Sequence, residues 1–112
     1  MKTLRGLIIG LVLVGQNCTP TDNNFNKVLN SPDNFHGKEI EMSGIMHEQF
    51  EDVAIYSTND KNKEKALWVD FKKGEYGLDG KRVKLKGEFD KKDKGHLGQY
   101  FGVIKSAELI ED

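Results

Sequence analysis

Cysteine is almost missing from this 112-residue chain, which has one, Cys18. A lone thiol cannot cross-link a domain to itself, so no internal disulfide frames the fold, and Cys-x-x-Cys metal or redox motifs are excluded. Proline is scarce, at two residues, and Trp68 is the single tryptophan. Gly6 to Gly15 is an uninterrupted apolar run, but it falls well short of the roughly twenty residues that a membrane-crossing helix needs. No phosphate loop, dinucleotide fingerprint, nucleophile motif or paired-carboxylate arrangement occurs, and spacings such as Gly77-x-x-Gly80 are too common to carry meaning. The chain is therefore not read as an enzyme, and no cofactor is implied.

Lys2 and Arg5 precede the apolar run. A basic start followed by a short apolar stretch is the pattern of a secretory signal peptide, so the protein is expected to be exported. A buried core helix is the competing reading, but the run has neither a polar face nor a capping residue. Cys18 follows directly, where it resembles the lipidated cysteine of bacterial lipoproteins. Gly15, Gln16 and Asn17 stand before it, and ordinary cleavage after Gly15, with Leu13 and Gly15 as the recognised residues, is the alternative to lipidation. Residues 1–18 are read as the signal peptide, 19–24 as a polar tether and 25–112 as the folded domain, held at the membrane through a lipid on Cys18.

Residues 1–18 include two basic side chains and no acidic one, which leaves 15 Lys plus Arg against 18 Asp plus Glu, a formal charge of −3. Phosphate backbones are bound by clustered Lys and Arg, so this balance argues against nucleic acid as a partner.

The folded part is organised around Gly80 to Phe89, in which Val83 and Leu85 alternate with Arg82, Lys84 and Lys86 until Gly87 interrupts the pattern. Period-two alternation marks a half-buried strand, and the interior glycine marks a bend. The same pattern opens at Gly37, with Ile40, Met42 and Met46 facing inward and a bulge expected at Gly44 to account for Ile45. Val53 to Thr58, Ala66 to Phe71 and Gln99 to Ile110 are further strands, the last with a bend at Gly102. Ahead of them, Asp22 caps a short helix with Phe25, Val28 and Leu29 on one face. Ser31 and Pro32 start a single further turn, and Phe35 plugs an end of the core. Asn59 to Lys65 reads as a solvated loop, and the glycines of Lys72 to Gly80 leave no room for a long helix.

Five short strands with glycine bends define a mainly β chain that resembles the OB-fold, a small five-stranded barrel, from Phe35 to Ile110 with a short helix before it. An SH3-like or roll-like barrel is the alternative, because OB-folds usually carry a helix between strands three and four. The string from Asn34-Phe35-His36-Gly37-Lys38 through Lys86-Gly87-Glu88-Phe89-Asp90 and Gly95-His96-Leu97-Gly98 to Phe101-Gly102-Val103-Ile104 is similar to a group of small uncharacterised bacterial proteins, several of them apparent lipoproteins. That similarity implies no reaction.

Lys94-Gly95-His96-Leu97-Gly98 is the sharpest local feature. In an OB-like barrel the loop between strands four and five belongs to the ligand-binding rim, where glycines permit close approach and an imidazole offers both a donor and an acceptor. The expected site joins His96, Gly95 and Gly98 with Glu51 and Trp68, and binds a small polar ligand or an envelope protein. The bland reading is a turn held by internal hydrogen bonds, with Leu97 tucked beneath the barrel. Trp68 and Tyr56 have a bland reading too, as ballast beneath the N-terminal helix against Phe25 and Leu29. His36, His47 and His96 with Glu48, Glu51 and Asp52 are weighed as a metal site, although no His-x-x-x-His spacing supports it. A purely structural docking protein, using strand edges or the outer sheet face, is the remaining class.

Overall fold

The computed structural model describes residues 20–58, 61–74 and 77–110, so the apolar run and Cys18 lie outside the described residues. A helix α1 (Pro20–Asn30) and a single turn α2 (Pro32–Phe35) lead into five strands. These are β1 (Glu39–Gln49), β2 (Asp52–Tyr56), β3 (Leu67–Phe71), β4 (Arg82–Asp90) and β5 (Gly102–Ile110). They close into a barrel in the order β1-β2-β3-β5-β4. Only β3 and β5 run parallel. β1 is long enough to pair with β4 over Glu39–Ile45 and with β2 over Ile45–Gln49, and so turns the corner between two halves of the sheet. The order and the five-stranded closure are consistent with an OB-like fold. Between β3 and β4 the described residues contain no helix.

Val83 and Leu85 in β4 and Ile40, Met42 and Met46 in β1 face inward as the sequence predicts, and the period of two continues through Gly87 to Phe89 and through Gly44, where a break was expected. The expected bulge at Gly44 is absent, since the β1–β4 register runs unbroken across it. Glycine is needed there for space, because a Cβ would stand 2.4 Å from the Tyr56 carbonyl oxygen. The irregularity lies in β5 instead, where Ser106 and Ala107 together face Gly87 and Ser106 takes a φ of 51°. Gly87 admits this crowded crossing, as a Cβ would lie 2.5 Å from Ile104 Cγ2 and 2.7 Å from the Lys105 carbonyl oxygen.

The helix begins at Pro20, ahead of the expected Asp22 cap, so residues 20–24, read as a tether, lie within it. Phe25 and Val28 are buried in the barrel core with Met42, Met46, Leu85, Phe89 and Ile104, and Leu29 and Phe35 close over that core. An amphipathic helix this short depends on such a surface to bury its face. Ser31 precedes α2 with no side-chain capping bond, contrary to expectation, while Pro32 holds the first-turn position. Tyr56 and Trp68 do not lie under α1 as ballast. They belong to a second cluster on the outer face of the barrel, with Ala54, Ala66 and Tyr100.

Candidate functional site

β2 is apolar on both faces, and its outer face therefore has to be covered by something. The cover is the loop between β4 and β5. Asp90 starts that loop by accepting hydrogen bonds from the amides of Lys92 and Asp93, Asp93 then accepts from Gly95, and the Tyr100 amide returns to the Lys94 carbonyl at 2.9 Å. Asx-type closures like these fix a loop without regular structure. Gly95 has a φ of 72°, and a Cβ on it would sit 2.7 Å from Trp68 Cβ, so only glycine lets the loop settle on the tryptophan.

On that face His96 stacks against Trp68, with ring centroids 5.7 Å apart and planes 22° apart, and Tyr100 meets the indole edge-on at 5.3 Å. His96 Nε2 lies 3.8 Å from Glu51 Oε2, beyond hydrogen-bond reach. The same nitrogen is enclosed and has no hydrogen-bond partner. Glu51 comes from the two-residue turn Phe50–Glu51 that joins β1 to β2, and holds a φ of 64°. Four of the five expected residues, Gly95, His96, Glu51 and Trp68, are thus brought together at one rim. Gly98 closes the turn by donating its amide to the Gly95 carbonyl, and lines a cleft with Lys63 and Lys94. Leu97, expected to tuck under the barrel, is 74 % exposed, and Phe50 beside Glu51 is 90 % exposed.

Beneath the rim is a network that the sequence did not announce. Asp52 Oδ1 accepts hydrogen bonds from the hydroxyls of Tyr56 and Tyr100, each at 2.8 Å, and Oδ2 lies 3.0 Å from His47 Nδ1. An ionised carboxylate only accepts, so His47 Nδ1–H donates. His47 is 6 % exposed and stacks on Tyr56 at 3.9 Å. Burial pushes the Asp52 carboxyl up, but the bonds from Tyr56, His47 and Tyr100 outweigh it and hold it below the usual carboxylate range. Burial first, and then the Asp52 carboxylate, push both phenols well above their ordinary range. At pH 7 Asp52 is therefore an anion that accepts from two neutral phenols and from the His47 N–H.

Among the described residues no group of three or more His, Cys, Asp and Glu is placed to bind an ion. His36 sits against Asp90 and the Lys91 amide, and Glu48 accepts from the Leu78 amide, so the residues once weighed together serve different contacts.

The chain matches no protein-family model, no curated protein and no solved structure.

Proposed function

We propose that this protein is a small exported binding module of the bacterial envelope, anchored by a lipid on Cys18, whose OB-like barrel takes a ligand at the His96 rim. The basic start, the short apolar run and the position of Cys18 are what suggest export and anchoring. The observation that carries the reading is His96 Nε2, which has no hydrogen-bond partner although its side chain is one-third exposed, and whose neighbouring carboxylate oxygen, Glu51 Oε2, stands 3.8 Å away. A buried polar atom left unpaired costs about 1–3 kcal/mol, a cost recovered when a ligand hydroxyl, amide or carboxyl group supplies the missing bond. Trp68 gives that ligand a flat apolar wall and Glu51 an acceptor. The rim also corresponds to the face and loops through which barrels of this kind bind extended or cyclic ligands. A second reading is favoured by Phe50 and Leu97, two exposed apolar side chains flanking the same rim, which suit capture of an envelope protein.

Trp68 is the single tryptophan, so its emission reports the rim directly. Titration of the purified protein with envelope-derived glycan and peptide fragments is expected to give a saturable change in that emission. His96→Ala is expected to abolish the change while leaving the thermal midpoint nearly unmoved. A variant that is destabilised by 1 kcal/mol or more, with no fragment moving the emission of the parent, would make His96 a structural residue. Cys18→Ser is expected to release the protein from membranes.

A further inference from the structure

We propose that a second site, on the other flank of the β4–β5 loop, binds an oxyanion: the carboxylate or phosphate group of a small ligand. The 3₁₀ turn Lys63–Lys65, between β2 and β3, and the loop residues 94–101 enclose a cleft of about 810 Å³. Lys61, Lys63 and Lys94 line it, with Tyr100 and Phe101 as its aromatic wall and Glu64 as the one acidic residue among the described ones.

The cations in this cleft are held differently from most of the paired lysines of the barrel. Lys63 Nζ lies 5.8 Å from the Tyr100 ring centroid and donates to Gln99 Oε1 at 3.4 Å. Lys94 Nζ lies 5.5 Å from the Phe101 ring centroid and donates to the Phe101 carbonyl oxygen at 2.9 Å. Both ammonium groups are thus positioned by neutral partners, and among the described residues neither is paired with a carboxylate. Lys72, Lys84, Lys86, Lys91 and Lys105, by contrast, each lie against an acidic side chain. A cation oriented by rings and carbonyls keeps its field available, whereas one in an ion pair is largely spent. Asn62 adds rigidity, because its side chain accepts from the Glu64 amide and fixes the turn that carries Lys63.

The scale of the charge selects the ligand. Three lysines opposed by Glu64, on a chain of formal charge −1, suit one oxyanion group. A nucleic-acid strand would need a longer track of Lys and Arg along successive phosphates. The cleft does not include His96 or Trp68, so its failure and the failure of the rim reading are separate outcomes.

Amide NMR on the purified protein at low salt tests this with three probes: inorganic phosphate, glucuronate and neutral glucose. Saturable shifts confined to residues 61–64, 94 and 98–101, sparing His96 and Trp68, are expected with at least one of the anions and none with glucose, and the tighter anion names the group. Lys63→Gln with Lys94→Gln is expected to weaken that binding at least tenfold, while Lys72→Gln with Lys86→Gln, on another face, leaves it unchanged. The proposal is overturned if neither anion gives a saturable shift, if shifts spread equally to Lys72, Lys86 and Lys105, or if the Lys63/Lys94 variant binds as the parent does. Tight binding of oligothymidylate with steep salt dependence would overturn it in favour of a nucleic-acid track.

Discussion

Tyr100 donates its hydroxyl to Oδ1 of Asp52 at 2.8 Å, across 48 residues of sequence, and so pins the β4–β5 loop to the start of β2. The loop carries His96 and the start of β2 adjoins Glu51, so this one bond sets the spacing of the rim above it. Tyr56 brings a second hydroxyl to the same oxygen from β2 itself. The loop thus stands on a small polar foundation on the outside of the barrel, in which Asp52 accepts from Tyr56, Tyr100 and His47.

Removing the acceptor is expected to cost more than removing either donor. Asp52→Ala strands two hydroxyls and the His47 N–H in a largely closed cluster, with an expected loss of about 3 kcal/mol or more, since each orphaned donor costs about 1–3 kcal/mol before relaxation. Tyr100→Phe removes one bond to a carboxylate and keeps the ring, for about 1–2 kcal/mol. The Tyr56→Phe and Tyr100→Phe losses are expected not to add, because both hydroxyls share one oxygen. Urea unfolding of the four variants measures all three statements.

The pH dependence of stability follows from the same cluster. Asp52 is held below its unfolded value, so its contribution is present above about pH 4 and is lost as pH falls through the folded value. Tyr56 and Tyr100 are raised, so theirs is present below about pH 10 and is lost as pH rises beyond it. Urea midpoints are expected to form a plateau between those limits. Asp52→Asn is expected to shallow the acid limb and Tyr100→Phe the alkaline limb. An acid limb of unchanged slope in Asp52→Asn would place the titrating groups elsewhere.

Glycines separate by mechanism. Gly44→Ala and Gly87→Ala drive a methyl into backbone, 2.4 Å from the Tyr56 carbonyl oxygen and 2.7 Å from that of Lys105, and are expected to lose about 2–3 kcal/mol or more. Gly37→Ala meets nothing within 4 Å and carries only the strain of φ 81°, for an expected loss of about 1 kcal/mol. Thermal midpoints of the three variants check the ranking.

The barrel was legible because its inner face follows period two with few exceptions: Val83 and Leu85 in β4 read as they fold. Gly44 was misread because a phase change and a close approach leave the same mark, an interior glycine, and only the neighbouring Tyr56 carbonyl tells them apart. The rim was half legible, since glycines around a histidine suggest a shaped loop, while Asp52 and Tyr100 join only through tertiary distance. One signal went unused. Val53-Ala54-Ile55-Tyr56 has no polar alternation, which means burial on both faces and hence a cover over the outer one.

Leu97 supplies the sharpest test of whether that cover serves more than stability. It holds a φ of 57° with its side chain 74 % exposed, so it carries the left-handed strain of about 1 kcal/mol and buries little in return. Asparagine tolerates this backbone region far better. Leu97→Asn is therefore expected to raise stability by about 0.5–1 kcal/mol while weakening whatever binds at the rim, a trade that stability alone does not explain. Urea unfolding gives the first half and Trp68 emission on ligand titration the second. A variant less stable than the parent would show that Leu97 is packed in solution, and would remove it from the binding surface.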